Sequence, residues 1–183
     1  AVIRVRRITS KINKKSKNAT KPIIAEFGVF NGYSINFFAA QFPEMELSGF
    51  DSFIGLEEDW PGTYHPAGYF DLGGILPKVA DNVNLYAGWF ENTLPEFLQK
   101  ISSSEWEPVL IHLDADTYTP TKFILESFRE NLKTGTVLIF DEYFGYPFWQ
   151  NGEFKAFQEF ISHTGLKYKY LGCSGQQVAI EIN

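Results

Sequence analysis

Short apolar runs alternate with segments of helical period along most of this chain. IIAEFG, VLIHLDAD and TVLIFDEY are typical of buried strands, whereas YSINFFAAQF and EFKAFQEFISHTG carry apolar residues at helical spacing. Such alternation predicts an α/β fold with a parallel sheet and helices on both faces. The last two runs, LKYKYLGC and QQVAIEIN, are joined by a turn at SGQ, which predicts a final antiparallel hairpin.

Three local predictions concern the connections between these runs. Residues 54–74 are rich in Gly, Pro and Trp and predict a long loop, of a length usually found in functional lids. The segment GILPKVADN, which overlaps the end of this loop, predicts a short helix. The segment TKFILESFRENL predicts a helix that follows a cap at Asp116 or Thr117 and stops at Gly135 as the C-cap.

Charge is distributed unevenly along the chain. Residues 1–21 carry eight Lys and Arg and no acid, so residues 22–183 carry a net charge of −14 when the whole chain carries −6. We therefore predict a basic N-terminal arm over 1–21 and one domain over 22–183, a length typical of a single domain. A domain this acidic would repel a phosphate backbone, which argues against a nucleic-acid substrate.

Composition also limits the compartment. The single cysteine, Cys173, excludes an internal disulfide framework and fits a reducing compartment. No apolar run approaches the roughly 20 residues of a membrane span, and no secretory h-region is visible at the N-terminus. We therefore expect a cytoplasmic protein without a membrane span.

Acidic residues lie at or near the ends of four predicted strands. In open parallel sheets, ligands bind beyond the carboxyl ends of the strands, near the point where the strand order reverses. The sheet would therefore bring these acids to one edge, although they are far apart in sequence. The acids are Glu26, Asp51, Asp114, Asp116, Asp141 and Glu142.

The stretch EFGVFNGYS indicates a cofactor turn. Gly28 and Gly32 bracket a strand-to-helix connection, where glycine lets a ligand approach the backbone closely. The spacing is not G-x-G-x-x-G, and Glu26 would repel a phosphate but suits an ammonium group. Asp51 ends the next strand, where an acid usually binds ribose hydroxyls. A ligand with a ribose, an ammonium and no phosphate indicates S-adenosylmethionine.

The acids that end the fourth and fifth strands predict a cation site. Asp114 from one strand, with Asp141 and Glu142 from the next, would crowd negative charge unless a cation or raised pKa values compensated it. Three carboxylates with water suit Mg²⁺. Helix capping is the alternative, but no regular helix follows Asp141 and Glu142 at once. His112, within the fourth strand, is interpreted as a packed core histidine, whereas His65 in the long loop could reach a substrate.

Five ordered motifs together resemble one known family. EFGVFNGYSI, GFDSFIGLEEDW, GWFENTLPEF, IHLDADTYTPT and IFDEYFG resemble the macrocin O-methyltransferase (TylF-like) family of class I S-adenosylmethionine-dependent methyltransferases, over about residues 23–183. The resemblance implies a Rossmann-like, mostly parallel seven-stranded sheet with an antiparallel last strand. It also implies methylation of a hydroxyl on a small molecule, typically a sugar of a natural product, with Mg²⁺ at the site.

The resemblance implies a role for each matching residue. The methionine end of the cofactor would contact Glu26, Gly28 and Ser34, and the ribose would contact Asp51 and Ser52. The adenine would lie beside Gly88 and Trp89, and the metal ligands would be Asp114, Asp141 and Glu142, with Asp114 also in the position of the base.

Two departures from the family pattern affect these expectations. Asp141 is followed by Glu142, where members often have two aspartates, and the longer carboxylate would shift the ion. Members of the family usually have a longer segment before the first strand, which helps to cover the substrate and to form dimers. Only a short basic arm precedes the first strand here, so the homodimer that the resemblance implies needs a separate test.

Two other functions remain open at this point. One is a non-catalytic binding protein that keeps the fold, which the mutually repelling acids argue against. The other is a Rossmann oxidoreductase, which the missing glycine fingerprint disfavours.

Overall fold

A seven-stranded sheet organises the computed structural model, which describes residues 5–19, 21–102 and 106–183. Its strands are β1 (Lys21–Phe27), β2 (Leu47–Asp51), β3 (Val83–Ala87), β4 (Trp106–Leu113), β5 (Val137–Phe140), β6 (Tyr168–Ser174) and β7 (Gln177–Ile182). Its helices are α1 (Val5–Ser16), α2 (Tyr33–Gln41), α3 (Phe90–Ser102), α4 (Tyr118–Ser127) and α5 (Glu153–Thr164), with a 3-10 turn at Trp149–Asn151.

The strand order is β3-β2-β1-β4-β5-β7-β6. The first five strands are mutually parallel, and β7 pairs antiparallel with both β5 and β6. The predictions of a mostly parallel seven-stranded sheet and a C-terminal antiparallel hairpin are therefore confirmed. The order reverses at β1, so the carboxyl ends of β1 and β4 flank the point where such sheets bind ligands.

Helices cover both faces of the sheet, as predicted. Apolar residues of α3, α4 and α5 pack into one core cluster, and those of α1 and α2 pack into the other. The near-continuous apolar runs of β4 and β5 follow from this double coverage, since a strand buried on both faces needs no polar alternation. No helix in the described part of the chain is long and apolar enough to cross a membrane.

The described part of the basic arm contains helix α1. Ile8 and Ile12 are buried against the sheet. Lys15 forms an ion pair with Glu107 on β4 and donates a second hydrogen bond to a backbone carbonyl. Lys11 is likewise paired with Glu181 on β7, so two of the basic side chains are bound to acids of the sheet. The division into an arm and a domain stays a prediction.

The predicted short helix at GILPKVADN is wrong. Residues 75–80 form no regular element. The Asn36 side chain on α2 explains this, because its amide donates to the Lys78 carbonyl at 3.1 Å and accepts from the Ala80 N–H at 2.8 Å. The backbone groups that a helix would use are thus bonded to a neighbouring helix, and Pro77 adds a residue without an N–H.

The C-cap prediction at Gly135 is also wrong. Helix α4 ends at Ser127, and Phe128 is its C-cap. Gly135 instead precedes β5, where its N–H donates to the Ile182 carbonyl at 2.7 Å. Its positive φ of 89° supports this turn, so the glycine signal indicates a turn into the sheet and not the end of the helix.

Candidate active site

Two cavities adjoin the carboxyl ends of the central strands. The first has a volume of about 360 Å³ and is lined by Gly28, Asp51 and Trp89, among others. The second has a volume of about 340 Å³ and is lined by Ser34 and His112, among others. Asp114 lines both cavities, so it stands between them. Both volumes are in the range of small-molecule sites.

The ends of β1 and β4 touch at Gly28. A Cβ atom on this residue would lie 1.8 Å from the carbonyl oxygen of Asp114, a distance that no side chain can occupy. Gly28 also has a φ of 94°, in the region that favours glycine. The Asp114 N–H donates to the Phe27 carbonyl at 2.8 Å, which fixes the approach from the other strand. Glycine is therefore required here by the packing of the two strands.

Asp51 holds the turn that follows β1. Its Oδ2 accepts hydrogen bonds from the N–H groups of Val29 at 2.8 Å and Phe30 at 2.7 Å. Its Oδ1 accepts from the Phe53 N–H at 2.7 Å. Gly32, with a φ of 83°, then begins α2. Asp51 lines the first cavity as predicted, but it also organises the turn. Its loss would therefore disturb both the cavity wall and the backbone of the turn.

The remaining residues predicted for the cofactor lie nearby. Ser52 and Trp89 line the first cavity, and Gly88 precedes Trp89 with its N–H donating to the Asp51 carbonyl at 2.9 Å. The Ser52 hydroxyl donates to the Gly55 carbonyl at 3.0 Å within a local turn. The residues predicted to contact the ribose and the adenine therefore lie on one wall of the first cavity, or directly beside it.

Glu26 is buried behind two residues that line the second cavity. It is 1% exposed and lines neither cavity itself. Its Oε1 accepts from the Ser34 hydroxyl at 3.0 Å, and its Oε2 lies 2.9 Å from Nδ1 of His112. Any influence of Glu26 on a ligand is therefore transmitted through Ser34 and His112, which line the second cavity.

His112 is buried as predicted, but it does more than fill the core. Its Nε2 lies 3.5 Å from Oδ1 of Asp141, so the ring stands between two carboxylates. Burial alone would lower the pKa of His112, but the contacts with Asp141 and Glu26 outweigh it and raise this pKa well above its usual value. The pKa of Asp141 is lowered because hydrogen bonding to His112 overcomes the effect of burial. The structure thus supplies a counter-charge for Asp141.

The three predicted metal ligands are divided between the two cavities. Asp141 belongs to a group with His112 and Asp114 on the side of the second cavity. Glu142 belongs to a group with Asp114 and Asp116 on the side of the first cavity. In each group, one candidate ligand atom per residue lies within 4.8 Å of the others. Asp114 is the residue common to both.

Of the two residues predicted to cap α4, Thr117 occupies the N-cap position and Asp116 does not. No side-chain cap hydrogen bond is made. Asp116 has a φ of 63° and is buried in the acidic group of the first cavity. Burial, with the charges of Asp141 and Asp51, raises its pKa to about 7. A non-glycine residue held at positive φ often marks a functional position.

Glu153, at the start of α5, is a buried acid that the sequence analysis did not single out. It has no exposed surface, and its Oε2 accepts the Glu142 N–H at 3.1 Å. Its Oε1 and the Oε2 of Glu142 are buried without a hydrogen-bond partner in the described residues. Burial raises the pKa of both groups well above the usual value. The negative charges of neighbouring acids raise both pKa values further, whereas Asp141 has the His112 ring beside it.

A sequence signal for part of this arrangement exists. Glu26 and His112 are directly paired in the register of β1 and β4. Each is a polar residue inside an apolar run, one position before the last residue of its strand. Two such residues on neighbouring predicted strands indicate a buried polar pair, since an unpaired one would be costly.

The predicted long loop is folded over the first cavity. Its two arms pair through the Leu56 N–H and the Tyr69 carbonyl at 2.9 Å and through the Gly68 N–H and the Leu56 carbonyl at 2.8 Å. A Cβ on Gly62 would lie 2.0 Å from the Pro147 carbonyl oxygen, so the loop tip abuts the connection after β5. The role of residues 57–71 as a lid stays a prediction.

This fold, with a cofactor-sized cavity at the carboxyl edge and a glycine turn before the first sheet-covering helix, defines the class of Rossmann-like cofactor-binding enzymes. A family profile described as "Methyltransferase domain" matches residues 25–143, more than half of the chain. The chain therefore belongs to this methyltransferase family, and the prediction of a methyltransferase enzyme is confirmed. No curated protein sequence matches it significantly.

Several solved structures share the fold. The calicheamicin methyltransferase CalS11 is similar with 23% identity and a TM-score of 0.73, over 97% of this chain and 79% of that one. The O-methyltransferase NovP follows with 17% identity and a TM-score of 0.69, over 97% and 78%. A structure of cmcI with Mg and SAM gives 18% identity and a TM-score of 0.53, over 95% and 70%. The narrower resemblance to the TylF-like family stays a prediction.

The raised pKa of Asp116 predicts a pH-dependent cost of folding. An acid whose pKa rises on folding contributes stability below its unfolded value, and this stability is lost as the pH rises through the folded value. For Asp116 the window extends from 3.8 to about 7. In EDTA, Asp116→Asn should therefore gain Tm relative to the wild type as the pH rises through this window. We expect roughly 2–4 °C or more, the shift that about 1 kcal/mol gives in a domain of this size.

Thermal melts of both proteins from pH 4 to pH 8 measure this difference. Glu130→Gln, which removes an exposed acid from the end of the α4 region, is the matched control. A difference between Asp116→Asn and the wild type that does not change with pH would contradict the burial of a costly charge at Asp116.

Proposed function

We propose that this protein is an S-adenosylmethionine-dependent O-methyltransferase that acts on a hydroxyl of a small molecule, a sugar or a glycosylated metabolite, with assistance from Mg²⁺. One observation carries the proposal. The glycine turn, Asp51 and Trp89 line the same cavity as the acidic group of Asp114, Asp116 and Glu142. A cofactor and a hydroxyl that meet in this cavity would react beside those carboxylates.

The cofactor assignment follows from the chemistry of the wall. Gly28 lines the cavity with backbone atoms, because the Asp114 carbonyl fills the place that a side chain would take. Asp51 offers carboxylate oxygens for ribose hydroxyls, and Trp89 offers an aromatic surface beside the adenine. Ser34 and His112 would face the methionine end, with Glu26 orienting both of them. The absence of a phosphate-binding fingerprint fits a cofactor without phosphate.

The acidic group of the first cavity fits a magnesium ion. Mg²⁺ prefers oxygen ligands at about 2.0–2.1 Å in octahedral geometry, and the candidate oxygens of Asp114, Asp116 and Glu142 lie within 4.8 Å of one another. The unpartnered Oε2 of Glu142 is a free ligand atom. Asp141, proposed as a ligand from the family resemblance, already has His112 and Gln177 as partners. We therefore propose Asp114, Asp116 and Glu142 as the principal ligands, with Asp141 in support.

The reaction places a proton acceptor beside the substrate hydroxyl. The oxygen attacks the methyl carbon as the carbon–sulfur bond breaks, leaving S-adenosylhomocysteine, and a carboxylate takes the hydroxyl proton. When bound, Mg²⁺ supplies stabilisation of the negative charge that develops on that oxygen. Asp114 is the proposed proton acceptor from the family resemblance. Asp116 is the second candidate, because it belongs to the same acidic group and lines the same cavity.

The printed descriptions of two similar structures agree with this proposal. CalS11 is described in its apo structure as a TDP-rhamnose 3'-O-methyltransferase, and the cmcI structure contains Mg and SAM. A cytoplasmic location and a homodimeric assembly remain predictions.

Cofactor and metal dependence test the proposed function. Calorimetry should detect S-adenosylhomocysteine binding and no NAD binding. Gly28→Ala should abolish S-adenosylhomocysteine binding, because the added Cβ meets the Asp114 carbonyl. Gly165→Ala is the control, because it changes another positive-φ glycine that is far from the site in sequence and has open space around it.

EDTA should remove most methyl transfer to a glycoside panel and Mg²⁺ should restore it. Clear NAD binding without S-adenosylhomocysteine binding would refute the assignment.

The base assignment is tested by two matched variants. Asp114→Asn and Asp116→Asn each remove one charge and keep the side-chain size. The variant that lacks the proton acceptor should lose roughly 10²–10⁴-fold in kcat, the usual contribution of general base catalysis, with S-adenosylhomocysteine affinity nearly unchanged. The variant that lacks only a metal ligand should regain activity as the Mg²⁺ concentration is raised. Full activity of both variants would mean that these carboxylates serve the fold alone.

A further inference from the structure

The three proposed metal ligands lie beyond the last backbone bond that joins β4 to β5 in the described part of the chain. That bond runs from the Asp141 N–H to the Leu113 carbonyl at 2.9 Å. Asp114 and Asp116 follow β4, and Glu142 follows Asp141. The sheet therefore holds the two segments only as far as their first residues. How Glu142 faces the other two carboxylates depends on contacts with another element.

Helix α5 supplies such a contact from its first turn. Glu153 and Phe157 are four residues apart, so their side chains lie on the same face of the helix. Phe157 packs on Phe140, the last residue of β5, with 5.1 Å between ring centroids. Glu153 lies one turn nearer the start of α5 and reaches the chain that follows the strand. Its Oε2 accepts the Glu142 N–H at 3.1 Å.

The same turn of α5 lies against the segment that follows β4. A Cβ on Gly152, the residue before Glu153, would lie 3.8 Å from the Asp116 carbonyl oxygen. Burial raises the pKa of Glu153 well above its usual value, while hydrogen bonding from the backbones of Glu142 and Ala115 opposes the rise. The start of α5 thus contacts both of the segments that carry the proposed ligands.

Glu153 is not itself placed as a ligand. It has no exposed surface and lines neither cavity. Among the described residues, the group whose oxygens lie within 4.8 Å of one another contains Asp114, Asp116 and Glu142 but not Glu153. Glu153 can therefore act on a cation only through the residues that it holds. Residues of this kind orient the ligands of many metal sites and tune their affinity.

We infer that Glu153 is a positioning residue of the cation site. Its hydrogen bond to the Glu142 N–H fixes Glu142 opposite Asp114 and Asp116, and so sets the affinity of the site for a divalent ion. This inference rests on the proposed function and adds to it a residue that lies outside both cavities. It also gives a reason for the complete burial of Glu153, since glutamate is almost never fully buried without a partner.

Two conservative variants separate the reach of Glu153 from its charge. Glu153→Gln keeps the length of the side chain and an oxygen that can accept the Glu142 N–H, but it removes the charge. Glu153→Asp keeps the charge but is one methylene shorter, so it withdraws the acceptor. We expect Glu153→Asp to raise the Kd for Mn²⁺ by roughly 10- to 100-fold, the usual cost of losing such a contact of a metal ligand. Glu153→Gln should raise it far less.

Electron paramagnetic resonance of free Mn²⁺, with S-adenosylhomocysteine present, measures this Kd without methyl transfer. Glu159→Gln is the matched control, because it changes an acid of the same helix that pairs with Lys155. Melts in EDTA report the Tm of each variant. A role confined to packing would lower the Tm of Glu153→Asp and leave its Kd unchanged, and that result would overturn the inference. A larger loss in Glu153→Gln than in Glu153→Asp would also overturn it, because charge and not reach would then set the affinity.

A Mg²⁺ titration of methyl transfer gives a second readout. Glu153→Asp should need roughly 10-fold or more Mg²⁺ for half its maximal rate and should approach the wild-type kcat at saturation, since the ligands themselves are unchanged. If Glu153→Asp folds poorly, Glu153→Met replaces it with the same expectation, because methionine has a similar length and no oxygen.

The wild type separates failure of the inference from failure of the proposed function. If it binds S-adenosylhomocysteine but no Mn²⁺, the metal part of the proposed function fails and the inference fails with it. If it binds Mn²⁺ and the Glu153→Asp and Glu153→Gln variants bind the ion equally well, the inference alone fails.

Discussion

The close approach of Gly28 to the Asp114 carbonyl is the contact on which the site depends. It joins the ends of β1 and β4 so tightly that a Cβ on Gly28 would lie 1.8 Å from that oxygen. The turn that leaves β1 must then bend away with positive φ, and Asp51 holds the bend by accepting the Val29 and Phe30 N–H groups. One consequence is that Asp114 comes to stand between the two cavities. The glycine turn and the acidic residues are thus linked through a backbone contact.

The second constraint is electrostatic. Each cavity contains an acidic group, and the two groups are compensated differently. On one side, His112 stands between Glu26 and Asp141 and provides the counter-charge. On the other, Asp116 and Glu142 of the acidic group are buried beside Glu153, which does not line the cavity, and one oxygen each of Glu142 and Glu153 lacks a partner in the described chain. Buried charges are expensive unless paired or bound to a metal. The uncompensated group therefore has a cost that a bound cation would relieve.

The sequence predicts the fold well, because the alternation of apolar runs and helical segments depends on burial alone. It also predicts that acids from distant segments gather at one edge of the sheet, since parallel strands all end there. It does not predict on which side of the edge each carboxylate lies. Asp141 and Glu142 are consecutive, yet they lie in different groups, because the chain leaves β5 at Phe140 and bends between the two cavities.

Other differences arise from contacts that no local pattern encodes. The segment at residues 75–80 has an acceptable helical pattern, but the Asn36 side chain takes two of its backbone groups. Asp116 resembles a helix cap by position, yet its backbone turns the side chain into the acidic group. Glu153 looks like an ordinary first-turn acid of a helix, and only the packing of α5 shows that it is buried behind Glu142. Tertiary contacts decide each case, so local rules alone are insufficient.

The central claim is that a cation belongs to the uncompensated group in the cofactor cavity. A crystal structure of the protein with S-adenosylhomocysteine and Mn²⁺, measured at the manganese absorption edge, tests it most directly. The account predicts one anomalous peak within bonding distance of Asp114, Asp116 and Glu142, in the cavity that also holds the cofactor. A peak between His112 and Asp141, or no peak when the cofactor is bound, would contradict it.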